Sequence, residues 1–169
     1  DWLPSSLASG VVDRQPISRN ARSSGQSPTV KLVAYNLAML TYTPDLRYVD
    51  PPRMRLVSAL RYSHVARARN CYSPQKLGDH LGSRTAVSSF HVFLDEAGRA
   101  WPEPISLNPP CQPAFSYDEM LLADLCIAAA RNDRKPFDEM TQDMLGQAAR
   151  NSIWASARRL MRYLVSVVE

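Results

Sequence analysis

Apolar residues recur at helical spacing along most of the chain, in stretches separated by proline- and glycine-marked breaks. From Thr29 the apolar positions Val30, Leu32, Val33, Leu37 and Leu40 follow a helical period until Thr43-Pro44 interrupts it. Pro51 and Pro52 open a second helix whose apolar positions are Met54, Leu56, Val57, Leu60, Tyr62 and Val65. Prolines suit a first helical turn because its amides have no partner within the helix. Arg61, Arg67 and Arg69 are expected on the polar side of this helix. A short helix follows over 73–82. Ser73 can cap its first turn, Pro74 fits the first helical position, and Leu77 and Leu81 lie one turn apart. Gly82 supplies a residue able to take a positive φ at the corner. From Ser83 a stronger pattern begins, with Ala86, Val87, Phe90, Phe93, Leu94 and Ala97 on one side of a helix that stops at Gly98. The opposite side carries Arg84, Thr85, Ser88, Val92 and Asp95, with Ser89 at its edge. The run FHVFL also fits a strand. The Ser83 cap, the longer period and the Gly98 stop favour helix.

Residues 99–115 are proline-rich and read as a packed connector, extended at most around Ile105 to Leu107, with no clear second strand for a β-wing. Ser116 and Glu119 then form a capping box ahead of a nearly all-apolar helix: Met120, Leu121, Leu122, Leu125, Ile127 and alanines to Ala130. Such a helix is buried on most sides, in the fold or against another subunit. Asn132-Asp133 ends it, a further helix is expected over 136–149, and a last one over 151–168. That last helix has Ile153, Trp154, Ala157, Leu160, Met161 and Leu164 on its apolar face and Arg158, Arg159 and Arg162 outside. Residues 1–28 have no sustained apolar period and read as a disordered arm, in which Arg14, Arg19 and Arg22 are either solvated or touch a polyanion. The expectation is an all-α chain in three parts. These are an arm over 1–28, a helical domain with a helix-turn-helix core over 29–100, and a connector with a helical dimerisation and packing region over 101–169.

Composition narrows the setting. The 169 residues are 45% hydrophobic, enough for a real core, and no apolar run is long enough to span a bilayer. Cys71, Cys111 and Cys126 are widely spaced and odd in number, which argues against a disulfide framework and for a reducing, cytoplasmic setting. The chain opens on Asp1 rather than Met, which reads as a lost start and leaves room for a removed targeting segment. The net charge of +4 is a modest basic bias. Its distribution says more. Arg53, Arg55, Arg61, Arg67, Arg69, Lys76 and Arg84 face only Asp79 over 53–84, whereas ten carboxylates crowd 95–143. One half can meet phosphates and the other cannot, unless both are ordinary solvated faces.

The segment LGDHLGSRTAVSSFHVFLDEAG resembles the core of bacterial helix-turn-helix transcriptional regulators, notably winged-helix ones, over 73–98 only. The resemblance rests on Leu77-Gly78, the Leu81-Gly82 corner, Ser83 to Val87, and the closing Leu94 and Ala97-Gly98. It implies a recognition helix over 83–96, bound to double-stranded DNA. Arg84 would reach a phosphate or a guanine edge. Thr85, Ser88 and Ser89 would hydrogen-bond bases or phosphates, and Val92 would meet a thymine methyl. The helix start suits a phosphate. Lys76, Arg61, Arg67 and Arg69 would hold the backbone and carry the salt dependence. The function expected is sequence-specific transcriptional regulation, as a homodimer because operators carry two half-sites.

Other chemistries find less in the sequence. His64, Cys71, His80 and His91 match no zinc spacing, so no metal and no cofactor are expected. Cys71 or Cys111 beside a histidine would make a nucleophile, but GxSxG, P-loop and GxGxxG motifs are absent, and the expectation is a protein that is not an enzyme. Asp95, Glu96, Asp118 and Glu119 sit where capping and the helix dipole explain carboxylates. The alternative reading is a non-enzymatic helical interaction or scaffold subunit, whose hairpin is structural and whose apolar C-terminal helices bind a partner.

Overall fold

The computed structural model describes residues 45–166, and they form an all-α fold. The expected arm over 1–28, the helix after Thr29 and residues 167–169 lie outside the described residues. A short 3-10 turn at Leu46–Tyr48 leads into α1 (Pro51–Ala68), α2 (Pro74–Leu81), α3 (Ala86–Ala100), α4 (Tyr117–Ala130), α5 (Arg134–Thr141) and α6 (Gln147–Val165). Among the described residues the only β pairing is a single bridge between Asp45 and Ala114. No helix among them is long and apolar enough to cross a membrane.

Side-chain caps set the starts of α1, α2 and α4. The Asp50 carboxylate accepts from the Arg53 amide ahead of Pro51 and Pro52. At α4 both halves of the Ser116/Glu119 capping box are made. Besides the start of α3, three boundaries differ from the sequence expectation. Helix α3 passes through Gly98 and ends at Ala100. Gly98 faces solvent with room around it, so it costs propensity without stopping the helix. The stop is Trp101, held extended (ψ 134°) because Pro102 follows. The break between the last two helices lies at 142–146, with α6 starting after an extended Gly146 (ψ 157°), rather than near residue 150. Helix α5 begins at Arg134, two residues before Pro136, which occupies a first-turn position that needs no amide.

The core is one continuous apolar cluster. It is built from Leu56 and Leu60 of α1, Leu77 and Leu81 of α2, Phe90 and Phe93 of α3, Leu122 and Leu125 of α4, Phe137 of α5, and Ile153, Leu160 and Leu164 of α6. Helix α6 lies at its centre, packed against α1, α3, α4 and α5. Helix α4 buries nearly its whole circumference, as its composition requires.

One arginine belongs to this core. Arg61 was expected on the polar side of α1, yet its side chain is 2% exposed and pairs with Glu119, which is fully buried. All five guanidinium N–H groups have acceptors. Nε and Nη2 donate to the two Glu119 oxygens (both 2.7 Å), Nη2 also donates to the Ala114 carbonyl (2.7 Å), and Nη1 donates to the Gln112 and Pro109 carbonyls. Glu119 accepts two further bonds, from the amides of Asn108 and Ser116. A buried ion pair persists only when its remaining lone pairs and protons are also satisfied, and this one meets that condition. It fixes the proline-rich connector over 102–115, which has too few amides to form a helix or sheet of its own. The same segment is tied down by Asp118, which accepts from the Trp101 indole and the Ser106 amide.

Candidate nucleic-acid interface

The candidate interface is built on the α2–α3 corner. Ser73 caps α2 through the Lys76 amide, and the Tyr62 hydroxyl accepts from the Ser73 amide (2.9 Å). Leu77 and Leu81 then go into the core. At the C-terminus of α2 the Ser83 amide donates to the Gly78 carbonyl (3.0 Å) and the Gly82 amide to the Asp79 carbonyl (3.2 Å). With Gly82 left-handed (φ +70°), these two bonds make a Schellman motif. Two close approaches hold the corner. A Cβ on Gly78 would meet Arg84 Cγ at 3.0 Å, and a Cβ on Gly82 would meet Arg55 Nε at 3.2 Å.

Helix α3 starts three residues later than its sequence suggests. Ser83 does not cap it. The Ser83 hydroxyl pairs with Thr85 Oγ1 (2.8 Å), and Thr85 is the N-cap without a side-chain cap bond. The chain enters the helix through tight turns instead, with the Ala86 amide on the Ser83 carbonyl and the Val87 amide on the Arg84 carbonyl (both 3.3 Å). Those two amides are therefore engaged within the chain and are not on offer to a phosphate. The connection between α2 and α3 spans 82–85, within the three to four residues that a helix-turn-helix uses.

The expected contact residues divide by burial. Arg84 and Thr85 are exposed in the turn that enters α3, and Ser88 and Val92 are exposed one turn apart on the helix itself. The other side, with Ala86, Phe90, Phe93 and Ala97, is buried against the rest of the bundle. Ser89 was expected at the edge of the reading face but is 6% exposed and belongs to the packed side. Arg61 is withdrawn from the surface by its pairing with Glu119. Arg67, Arg69 and Lys76 are exposed. Arg67 is brought to the flank of α3, because its guanidinium lies over the Tyr72 ring (6.0 Å) and the Tyr72 hydroxyl bonds His91 Nε2 (2.7 Å). Arg69 sits at the C-cap of α1 and Lys76 in the first turn of α2, and no hydrogen bond or ring contact ties either to α3. The expected β-wing position carries no hairpin. Residues 102–115 are the connector described above.

Histidines and cysteines are dispersed. His91 is half-buried on the Tyr72 side. Burial, and then the positive field of Arg67, hold its pKa below the usual 6.5, so the neutral ring is favoured. Burial pushes the Tyr72 hydroxyl up. His80 stacks on Tyr62 (4.8 Å), and His64 is exposed. Cys71 and Cys111 are free and exposed. Cys126 is fully buried, which pushes its thiol far up and leaves it inert. Among the described residues no three His, Cys, Asp or Glu side chains come close enough together to hold a metal ion.

What sequence reasoning missed is the company that the corner keeps. Arg55 of α1 lies against Gly82 and donates to the Leu164 carbonyl near the end of α6 (3.3 Å). The basic end of α6 is thereby placed beside the start of α3. A helical period in isolation gives the face of each helix and not its neighbour. No protein-family model, no curated protein and no solved structure matches the chain.

Proposed function

We propose that this chain binds double-stranded DNA through the α2–α3 unit, as a homodimeric, cytoplasmic transcriptional regulator without enzymatic chemistry of its own. One observation carries the reading: Arg84 and Thr85 in the turn into α3, and Ser88 and Val92 one turn apart on the helix, are all exposed, while the opposite side of α3 is locked into the core. A groove-reading helix needs that division, with its first turns free and its back anchored. The residue types fit a major groove: a cation for guanine or phosphate, hydroxyls for base edges, and a methyl-bearing side chain for thymine. Arg67 supports the flank. Three free thiols suit a reducing compartment.

Titration of the full chain against duplex DNA at several salt concentrations tests the reading. The expected result is an affinity whose logarithm falls linearly with the logarithm of salt, and a weaker affinity for Arg84→Ala. Absence of duplex binding, or binding indifferent to salt, would overturn it. Light scattering after size exclusion tests the dimer separately, and a monomer at high concentration removes that part.

A second reading is favoured by Asp95, exposed one turn beyond Val92 on the same side of α3. A carboxylate there repels phosphate and suits a protein partner, as in a helical interaction subunit. Asp95→Ala separates the two. Stronger DNA binding supports the first reading, and loss of a protein complex with no DNA binding by the parent chain supports the second.

A further inference from the structure

The exposed side of α6 is strongly charged, and its chain neighbours neutralise only part of it. From Gln147 to Val165 the helix holds Arg150, Arg158, Arg159 and Arg162 and no Asp or Glu. Arg150 is drawn toward Asp138 of α5. Arg158 lies over the Trp154 ring (5.9 Å), on the side of the helix where Trp154 meets Phe137 of α5. Arg159 and Arg162 remain. Both are exposed, and neither makes an ion pair with a described residue. The helix dipole accounts for a cation in the last turn, where Arg162 lies, but Arg159 is almost a full turn earlier.

Their location follows from the packing. Arg55 touches the Gly82 corner and the Leu164 carbonyl together, so the end of α6 lies beside the start of α3 and the two packed helices run antiparallel. At 100° per residue, Arg159 projects from the flank of α6 opposite to Trp154 and α5. Arg162 projects directly away from the buried row of Ile153, Ala157, Leu160 and Leu164. Helix α4 packs against both α6 and α5, whereas α3 packs against α6 and not appreciably against α5, so α3 lies toward the flank of α6 away from α5. Arg159 and Arg162 therefore border the same end of the molecule as Arg84, Thr85 and Ser88.

We infer that Arg159 and Arg162 form a phosphate-binding ridge on α6 that grips the sugar-phosphate backbone of the duplex whose groove receives α3. This rests on the DNA reading above and adds to it a second element, distant in sequence, that supplies affinity without base readout. Arginine suits the role because its planar fork stays charged and matches phosphate oxygens in pairs. A backbone contact of this type weakens all sequences alike when removed, and each lost contact lowers the salt slope by about 0.9.

The test compares the full chain with Arg159→Gln/Arg162→Gln, Arg159→Lys/Arg162→Lys and Arg84→Gln. The probes are a mixed-sequence duplex and a single-stranded RNA of the same length, across a salt series, with circular dichroism to establish that each variant is folded. The expected result is that the Gln pair lowers the slope on duplex DNA by about 1.8, to the same degree for unrelated sequences, and that the Lys pair retains the parental slope. A Gln pair with the parental slope, alongside an Arg84→Gln variant that binds weakly, would overturn the ridge and leave the DNA reading standing. A parent chain without salt-dependent duplex binding removes both. Tighter binding to the RNA, lost with the same two arginines, overturns the assignment to duplex DNA.

Discussion

Arg61 and Arg84 lie 23 positions apart in one basic stretch, and the structure uses them in opposite ways. Arg61 is enclosed, with every N–H donating to a carboxylate or a connector carbonyl. Arg84 is exposed at the corner, its aliphatic stem close against Gly78, and it makes no ion pair with a described residue. The first arginine organises the inside: a segment too rich in proline to satisfy itself is held by one forked donor together with the Glu119 and Asp118 carboxylates. The second is available to something outside. Charge in the sequence is the same in both cases. What separates them is whether acceptors from elsewhere in the chain converge on the cation, which follows from the long-range fold.

The contrast can be broken most severely at Arg61. Arg61→Ala leaves a buried Glu119 carboxylate without its counter-charge and the Gln112 carbonyl without its donor, while the Ala114 and Pro109 carbonyls keep their bonds from the Asn108 side chain and the Gln112 amide; it should cost about 3–5 kcal/mol of stability in denaturant unfolding. Arg61→Lys should recover only part of this, since an ammonium has three donors and no fork. The corner comes next. Gly82→Ala places a Cβ in a left-handed conformation beside the Arg55 guanidinium and should cost about 1–2 kcal/mol, read in the same experiment. At the exposed face the effects on stability and binding should separate. Arg84→Ala and Ser88→Ala should stay within about 0.5 kcal/mol of the parent in unfolding. Arg84→Ala should nonetheless weaken duplex binding by about 1–3 kcal/mol if Arg84 reads a base. An Arg84→Ala variant as unstable as Arg61→Ala would erase the distinction.

The smallest effect belongs to His91. Its folded pKa lies below the usual 6.5. Between those two values the unfolded chain takes up a proton that the folded chain refuses, so stability must fall as the pH drops through that window. Above 6.5 both states hold a neutral ring and the contribution is flat. Unfolding measured at a series of pH values should show the decline in the parent chain, and His91→Gln should remove that part of it.

Much of the fold was legible from spacing. Apolar rows at helical period gave α1 through α4, and the Ser116/Glu119 box gave the start of α4, because both signals are local. The misplaced boundaries arose where local signals compete. Ser83 and Thr85 are both cap-forming residues two positions apart. The helix start follows the tight turns at 83–87, which no single residue type marks. Gly98 looked like a stop because its exposure is invisible in sequence, and the effective stop was the residue before Pro102. Arg61 falls four positions after Val57 on a buried row, yet its charge placed it outside. Only Glu119, 58 residues away, reverses that reading. Arg84, Thr85, Ser88 and Val92 have the exposure that their spacing predicts, whereas Ser89 lies on the packed side. The nearness of α6 to the corner has no sequence signature, since it depends on the Arg55 bridge.

The enclosure of Arg61 also bears on the order in which the chain assembles. Its partners come from 48 to 58 residues further on, and an arginine gives up water only where acceptors already wait. The connector over 102–115 is therefore held by bonds that exist only with α1 and α4 together, and limited proteolysis within it is expected to accelerate in Arg61→Ala. Resistance to cleavage within this segment becomes a readout of completed folding.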